Sequence, residues 1–262
     1  VAGDVVTQAL THASHSEKDI PSGLTFPGIF ALSAQAYMHR YGLTRDQLSL
    51  VSEATHRAAV KNPYAQFRKE IPAGVISKSA PVADPLRLLD CSPISDGAAA
   101  VILSTTKKSG VRIAASQLAT DKVSLAERSE ITSFLATKTA MDRALSEADW
   151  NRNDIDVIEL HDCFSIATLI HLEDMGYCDA GQAIGLFEQR MTDVTGDLPV
   201  NTSGGLKACG HPIGATGVKQ ILDIWKQIMA CAPNQVAAAH RGLAHNLGGI
   251  GATCTIHLLE SC

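Results

Sequence analysis

The chain has 262 residues, 45% hydrophobic and 19% charged, with a formal net charge of -5. That length can bury a large core in one domain or two. The acidic balance offers no basic face for nucleic acid, and no apolar run reaches the roughly 20 residues of a membrane span.

In chain order, Val1-Ala2-Gly3-Asp4 does not read as a signal peptide, and Thr11 to Ile20 reads as a polar loop. Thr25-Phe26-Pro27-Gly28 opens a helix through Ile29, Leu32, Ala36 and Tyr37, which Gly42 stops. Thr44 caps a second helix, with Gln47 placed as in a capping box, and this helix ends before Asn62-Pro63. Phe67 to Leu88 is irregular and broken by prolines. Ser95-Asp96-Gly97 is a turn into Ala98 to Leu103, whose unbroken apolar run predicts a buried strand. Lys107 to Gly110 is a polar break that divides residues 1–108 from 109–262.

Val111 to Ala115 then starts a strand, Ile131 to Ser146 is a helix, and Ile155 to Leu160 is a strand. Phe164 to Met175 is a helix ended by Gly176. Ala215 to Met229 is an amphipathic helix with Val218, Ile221, Leu222, Trp225 and Ile228 on its apolar face. Gln235 to Ala239 and Ala252 to Leu259 read as strands flanking a loop at His245. The alternation predicts an α/β fold with helices on both sides of a sheet.

The most informative stretch is Asn201 to Gly217, where several glycines surround His211 just before a helix. Glycines let a backbone approach a ligand, a helix N-terminus presents free N–H groups, and imidazole holds or passes a proton near neutral pH. His161-Asp162-Cys163-Phe164 and His245-Asn246-Leu247-Gly248-Gly249 also follow predicted strands, where open α/β sheets bind ligands. His211 reads as functional rather than as a surface histidine. Cys163 reads either as a core thiol or, beside His161 and a helix start, as a thiol whose pKa is lowered. Asp162 could cap the following helix. His245 is equally structural or catalytic, and the N–H groups of Gly248 and Gly249 suit an oxyanion. Lys207 could meet a phosphate or be an ordinary loop lysine. A metal bound by His161, Cys163 and His171 lacks a spaced ligand pair and a fourth donor, so no metal is expected. The remaining histidines read as structural or solvated. The phosphate-binding glycine patterns of nucleotide folds do not fit.

Seven cysteines (91, 163, 178, 209, 231, 254 and 262), an odd number with no C-x-x-C, point to reduced thiols in an intracellular compartment. The cytoplasm is the default; an organelle is the alternative, and Glu260-Ser261-Cys262 is not a peroxisomal address.

At these motifs the chain resembles a thiolase. Asn201 to Gly217 matches the family's glycine-rich loop with its G-H-P histidine. His161-Asp162-Cys163-Phe164 resembles the sterol-carrier-protein type and its archaeal and bacterial relatives, where other thiolases have N-E-A-F. His245-Asn246-Leu247-Gly248 stands where most have C-x-G. Thr25 to Gly28 and Ser95 to Ala99 are further landmarks. The resemblance implies two related, layered α/β/α halves, the first incomplete here. By the same likeness, residues 1–108 are the remainder of the N-terminal half with its loop region, and 109–262 the C-terminal half. No cysteine of the chain stands in the context of the family's nucleophile, so the chain alone is expected to be inactive.

The implied chemistry makes or cleaves a 3-oxoacyl-CoA with acetyl-CoA or coenzyme A, with no cofactor beyond the thioester substrate. It needs an activated nucleophile, a second acid/base and two oxyanion holes. Carried over, His211 activates the nucleophile and donates to the thioester oxygen, His161 helps the same hole, and Cys163 is the acid/base thiol. The Gly248 N–H serves the second hole. Asn201, Ser203, Gly204, Gly205 and His245 are carried over as substrate- or CoA-binding positions. A homo-oligomer (dimer or tetramer) and a small zinc-ribbon and OB-fold partner are implied as well. A non-catalytic subunit holding CoA esters is the alternative. An aldolase-like relative would need tyrosines that these motifs lack. Acyl chain length and physiological direction are not given.

Overall fold

A computed structural model describes residues 3–262. The Val1-Ala2 end of the segment read above for a signal peptide lies outside them. Helix α1 (Gly3–Thr11) precedes the expected loop. Helix α2 (Phe26–Tyr41) starts at Thr25, whose hydroxyl accepts the Gly28 N–H at 3.4 Å, and ends at Gly42 in the left-handed region at φ 75°. Helix α3 (Arg45–Ala59) carries the predicted capping box between Thr44 and Gln47. The irregular segment that follows holds a short helix, α4 (Ala73–Ile76), and a two-stranded ribbon, β1 (Pro81–Ala83) with β2 (Leu86–Arg87).

The remainder contains β3 (Val111–Thr120), α5 (Leu135–Ala148), β4 (Val157–Glu159), α6 (Ser165–Asp174) and α7 (Ala183–Glu188). It ends with α8 (Gly205–Cys209), α9 (Thr216–Ile228), β5 (Arg241–Gly248) and β6 (Thr253–Ser261). The sheet order is β3-β6-β5-β4, antiparallel except for the parallel pair β4 and β5. Alternate residues of a strand face opposite sides. Accordingly Leu243, Leu247, Cys254, Ile256 and Leu258 join Ala136, Ala140, Met141 and α6 in one core cluster. Val157, Ala244 and Leu259 meet Ile224 of α9 in the other. This is a sheet between two helical layers, the expected α/β architecture.

Three sequence expectations are corrected. Ala98 to Leu103 is not a strand; Ile102 is 94% exposed, and no strand among the described residues pairs with the run. Gln235 to Ala239 is not a strand either. Ala238 is left-handed at φ 51°, and Gln227 holds the segment through Asn234 O and the Val236 N–H. The strand is β5, one step later, so His245 lies inside it rather than in a loop. Finally, α9 buries Gln220, Asp223, Ile224 and Gln227, while Val218, Leu222 and Trp225 stay half-exposed. The polar face turns inward because its amides satisfy buried backbone: Gln220 Nε2 donates to His245 O at 2.8 Å, and Gln227 Nε2 to Asn234 O at 2.8 Å.

Candidate active site

The first site segment leaves β4 and turns into α6 through Leu160 to Phe164. Asn201, at φ 49°, pins it: its Oδ1 accepts the Leu160 N–H at 2.7 Å and its own N–H donates to Ile158 O at 2.8 Å. Asp162 does not cap the helix that follows it. Its buried carboxylate accepts the N–H groups of Leu206 at 2.7 Å and Lys207 at 3.4 Å, capping α8 in the glycine-rich loop instead. Burial raises its pKa to about 6, against the pull of those N–H donors.

The glycines serve packing at this junction. Gly204 has φ 102°, and a Cβ there would sit 2.6 Å from Ala59 Cβ; at Gly205, φ 56°, it would overlap the Asp162 carboxylate. Ser203 is likewise engaged: its N–H and hydroxyl donate to Glu159 at 2.9 and 2.7 Å. Lys207, undecided from sequence, is buried and donates to Leu89 O and Cys91 O at 2.5 and 3.0 Å. Burial lowers its pKa to about 8.

A segment the sequence reading passed over ties both motifs together. Ser92 N–H donates to Cys163 O at 2.9 Å, and His211 N–H donates to Pro93 O at 3.1 Å. Cys91 bridges Phe164 and Ile94 bridges His211. Residues 91–94 thus run between the Cys163 loop and the His211 turn, with Lys207 anchoring their upstream end.

The result brings His161 and His211 edge to face, ring centroids 4.9 Å apart and planes at 84°. His211 Nδ1 lies 2.7 Å from Thr216 Oγ1, and His161 Nδ1 lies 3.1 Å from Asn246 Nδ2. Neither Nε2 has a partner among the described residues, and neither is among the fully buried unpaired atoms, so both reach accessible surface. Burial pushes His211 down to about 4. His161 is pushed well below the usual imidazole range by burial, then by the charge of His211 and of His245. Both rings are therefore neutral near pH 7.

Cys163 stands two residues beyond His161 and is 7% exposed. Of its two sequence readings the lowered pKa is not found: burial raises it first, the Asp162 carboxylate adds to this, and the Phe164 and Cys163 N–H groups pull the other way. At rest it is a neutral thiol. His245 is fully buried beneath the site, on the α5 side of β5, so it is not a ligand-contacting position. It accepts the His161 N–H on Nδ1 at 3.4 Å and meets Thr137 Oγ1 at 3.2 Å. The His171 ring packs against it, centroids 4.2 Å apart and planes tilted by 54°. Gly248 closes β5 on the same face as Asn246.

Asn246, Gln220 and Thr216 escaped the sequence reading. Extending the strand pattern from Leu243 through Gly248 would have put Asn246 opposite His245, on the α9 side. A cleft of about 560 Å³ lined by Arg40, Glu130, Lys138, Glu173 and Asp174 lies elsewhere, its charges paired as Arg40 with Glu130 and Lys138 with Asp174. No helix among the described residues is long and apolar enough to cross a membrane.

The chain is similar to known proteins. A family model described as thiolase C-terminal domain-like matches residues 118–261. Acetyl-CoA acetyltransferase of Methanothermobacter thermautotrophicus is 44% identical over 266 residues, covering 98% of this chain and 70% of that protein. Sterol carrier protein 2 of Bos taurus is 37% identical over 246 residues, covering 89% of this chain and 45% of that protein. Among solved structures, the Ltp2-ChsH2(DUF35) aldolase superposes with a TM-score of 0.82 at 23% identity, covering 100% of this chain and 68% of that chain, a likeness of fold.

Proposed function

This chain belongs to the thiolase family, and from that premise we propose that it supplies the base, an oxyanion donor and the acid/base thiol of an acyl-CoA acyltransferase. The enzyme makes or cleaves a 3-oxoacyl-CoA by carbon–carbon chemistry beside a thioester carbonyl, with acetyl-CoA or coenzyme A as the second substrate. The observation that carries the reading is the edge-to-face pair of neutral imidazoles, His161 and His211, drawn from loops fifty residues apart.

Their chemistry divides by hydrogen bonding. The Thr216 hydroxyl lies 3.1 Å from Pro212 O, which can only accept. With its proton there, it accepts from His211 Nδ1–H, and His211 Nε2 keeps a lone pair for a nearby thiol. His161 faces the same opening as a donor to the thioester oxygen. Cys163, held neutral by burial, donates its proton to the α-carbanion in the cleavage direction, and the thiolate so left takes the α-proton back in the synthetic direction; the Gly248 N–H serves the second oxyanion. The acyl-accepting thiolate is a different group: no cysteine of the chain stands in the context of the family's nucleophile, and burial raises Cys91, Cys163, Cys178, Cys209 and Cys254 alike. We assign it to a segment outside these 262 residues.

A homo-oligomer belongs to the same reading. Half-exposed Val218, Leu222 and Trp225 on α9 and the exposed Ile102 and Leu103 support association. A small zinc-ribbon and OB-fold partner and a place in lipid metabolism rest on resemblance, and the cytoplasmic reading rests on the odd number of cysteines.

The test is Cys163→Ala in a full-length acyltransferase containing this chain. Carbon–carbon bond turnover falls by about 10²–10⁴-fold, while acyl transfer to the nucleophile, followed by mass, persists. Equal loss of both half-reactions would overturn the role of Cys163. Acetyl-CoA binding without any turnover in the unaltered enzyme would favour the non-catalytic subunit.

A further inference from the structure

Two histidines meet edge to face, each with an accessible Nε2, and nothing in imidazole itself says which of them accepts and which donates. The packing behind His161 does. Gln220 is buried on α9, with its Nε2 2.8 Å from His245 O and 3.4 Å from Glu159 O. Carbonyl oxygens accept only, which fixes the amide nitrogen on that side and leaves Oε1 facing Asn246. Oε1 is 2.9 Å from the Asn246 side-chain nitrogen, so that group must be the donor end of the Asn246 amide. The same NH₂ lies 3.1 Å from His161 Nδ1. One of its hydrogens goes to Gln220 and the other to the ring, so Nδ1 must present its lone pair. A neutral imidazole with Nδ1 unprotonated carries its hydrogen on Nε2, the atom that reaches accessible surface.

We propose that Asn246, oriented by Gln220, is a positioning residue that locks His161 as the Nε2–H tautomer and so makes it an obligate donor toward the substrate. Backbone carbonyls set Gln220, Gln220 sets Asn246, and Asn246 sets the ring. The tautomer follows from hydrogen bonding alone; only its catalytic consequence rests on the thiolase reading.

The test is two-bond ¹⁵N–¹H correlation of the histidine-labelled chain at neutral pH, with His161→Asn used to identify the His161 peaks. The unaltered chain should show His161 protonated on Nε2 only, and a spectrum with the hydrogen on Nδ1 would overturn the proposal without any substitution. In Asn246→Asp the carboxylate can only accept, so His161 should gain a hydrogen on Nδ1. Unchanged peaks there would also overturn it. His245, whose Nδ1 accepts the His161 N–H, keeps its pattern while the fold is intact. In the full-length enzyme Asn246→Ala should lower kcat by about 10²-fold with KM little changed, the cost of a misaimed group. A displaced tautomer with normal kcat would refute His161 as the oxyanion donor and leave the tautomer assignment standing.

Discussion

Ile155 to Leu160 and Ala98 to Leu103 are both six-residue, apolar-rich runs, and they end in opposite surroundings. The first becomes β4, with Val157 packed toward α9, Ile158 toward the α5 and α6 layer, and both fully buried. The second leaves Ile102 and Leu103 94% and 73% exposed. Strand propensity does not separate Val-Ile-Glu from Val-Ile-Leu. What separates them is β5, which gives β4 a parallel ladder, and the helical layers that cover both faces. An apolar run states a requirement for neighbours, and the rest of the chain decides whether it is met.

The largest effect should come from the side where that requirement is met. Leu243, on β5 beside β4, is fully buried in the main core cluster. Leu243→Ala should cost about 2–5 kcal/mol in chemical denaturation, transfer and cavity terms together. A loss under about 1 kcal/mol would mean the core can collapse around the gap and the contrast is weaker than drawn.

Acidification should act on the same packed layers. Burial holds His56 and His211 at about 4 and His245 at about 3, below the ordinary 6.5, and holds His161 and His171 well below it too. These groups stay neutral in the folded chain while the unfolded chain takes up protons below 6.5. Their contribution is present above that value and lost as pH falls toward about 4. Asp162 and Asp174, raised to about 6, and Glu159, raised to about 7, work the other way: folded, they bind protons that the unfolded chain has released. His257 is lowered as well and Glu173 raised, so six histidines stand against four carboxyls. Glu130, lowered to about 2, adds to the histidine side, and the unfolded state has the larger uptake. Stability should therefore fall on acidification by roughly 1–3 kcal/mol per pH unit between these limits. Hydrogen exchange should show the loss across β4 and β5. A melting temperature flat from pH 6.5 to 4.5 would show that those histidines are not buried neutral.

Most of the sheet and its helices were legible because their signals are local. Thr44 with Gln47, Gly42 after α2, and Gly176 after α6 mark ends by capping and turn chemistry that needs no tertiary partner. His161 and His211 were legible for the same reason, each beside glycines or a strand end. What stayed hidden depended on neighbours. Asp162 caps a helix more than forty residues away, and Lys207 is buried by the backbone of Leu89 and Cys91. Cys163 has the local setting of an activated thiol, yet burial outweighs the N–H donors near it. The inward face of α9 is polar because it must satisfy buried backbone, strand carbonyls at Gln220 and the loop after α9 at Gln227, a demand that hydrophobic periodicity along the helix cannot report.

The smallest effect should fall on the unpartnered run. Ile102 contributes almost no buried surface, so Ile102→Ser should change the stability of the 262-residue chain by less than about 0.5 kcal/mol. The same substitution in a full-length acyltransferase is a different measurement. If the run gains a strand neighbour there, Ile102 becomes a core position and the substitution should cost several times more, because a serine hydroxyl would then be buried against apolar side chains. Equal, near-zero effects in both would show that Ala98 to Leu103 is a surface segment in its own right. The difference between its fate and that of β4 would then be intrinsic to the two runs rather than a matter of which neighbours are present.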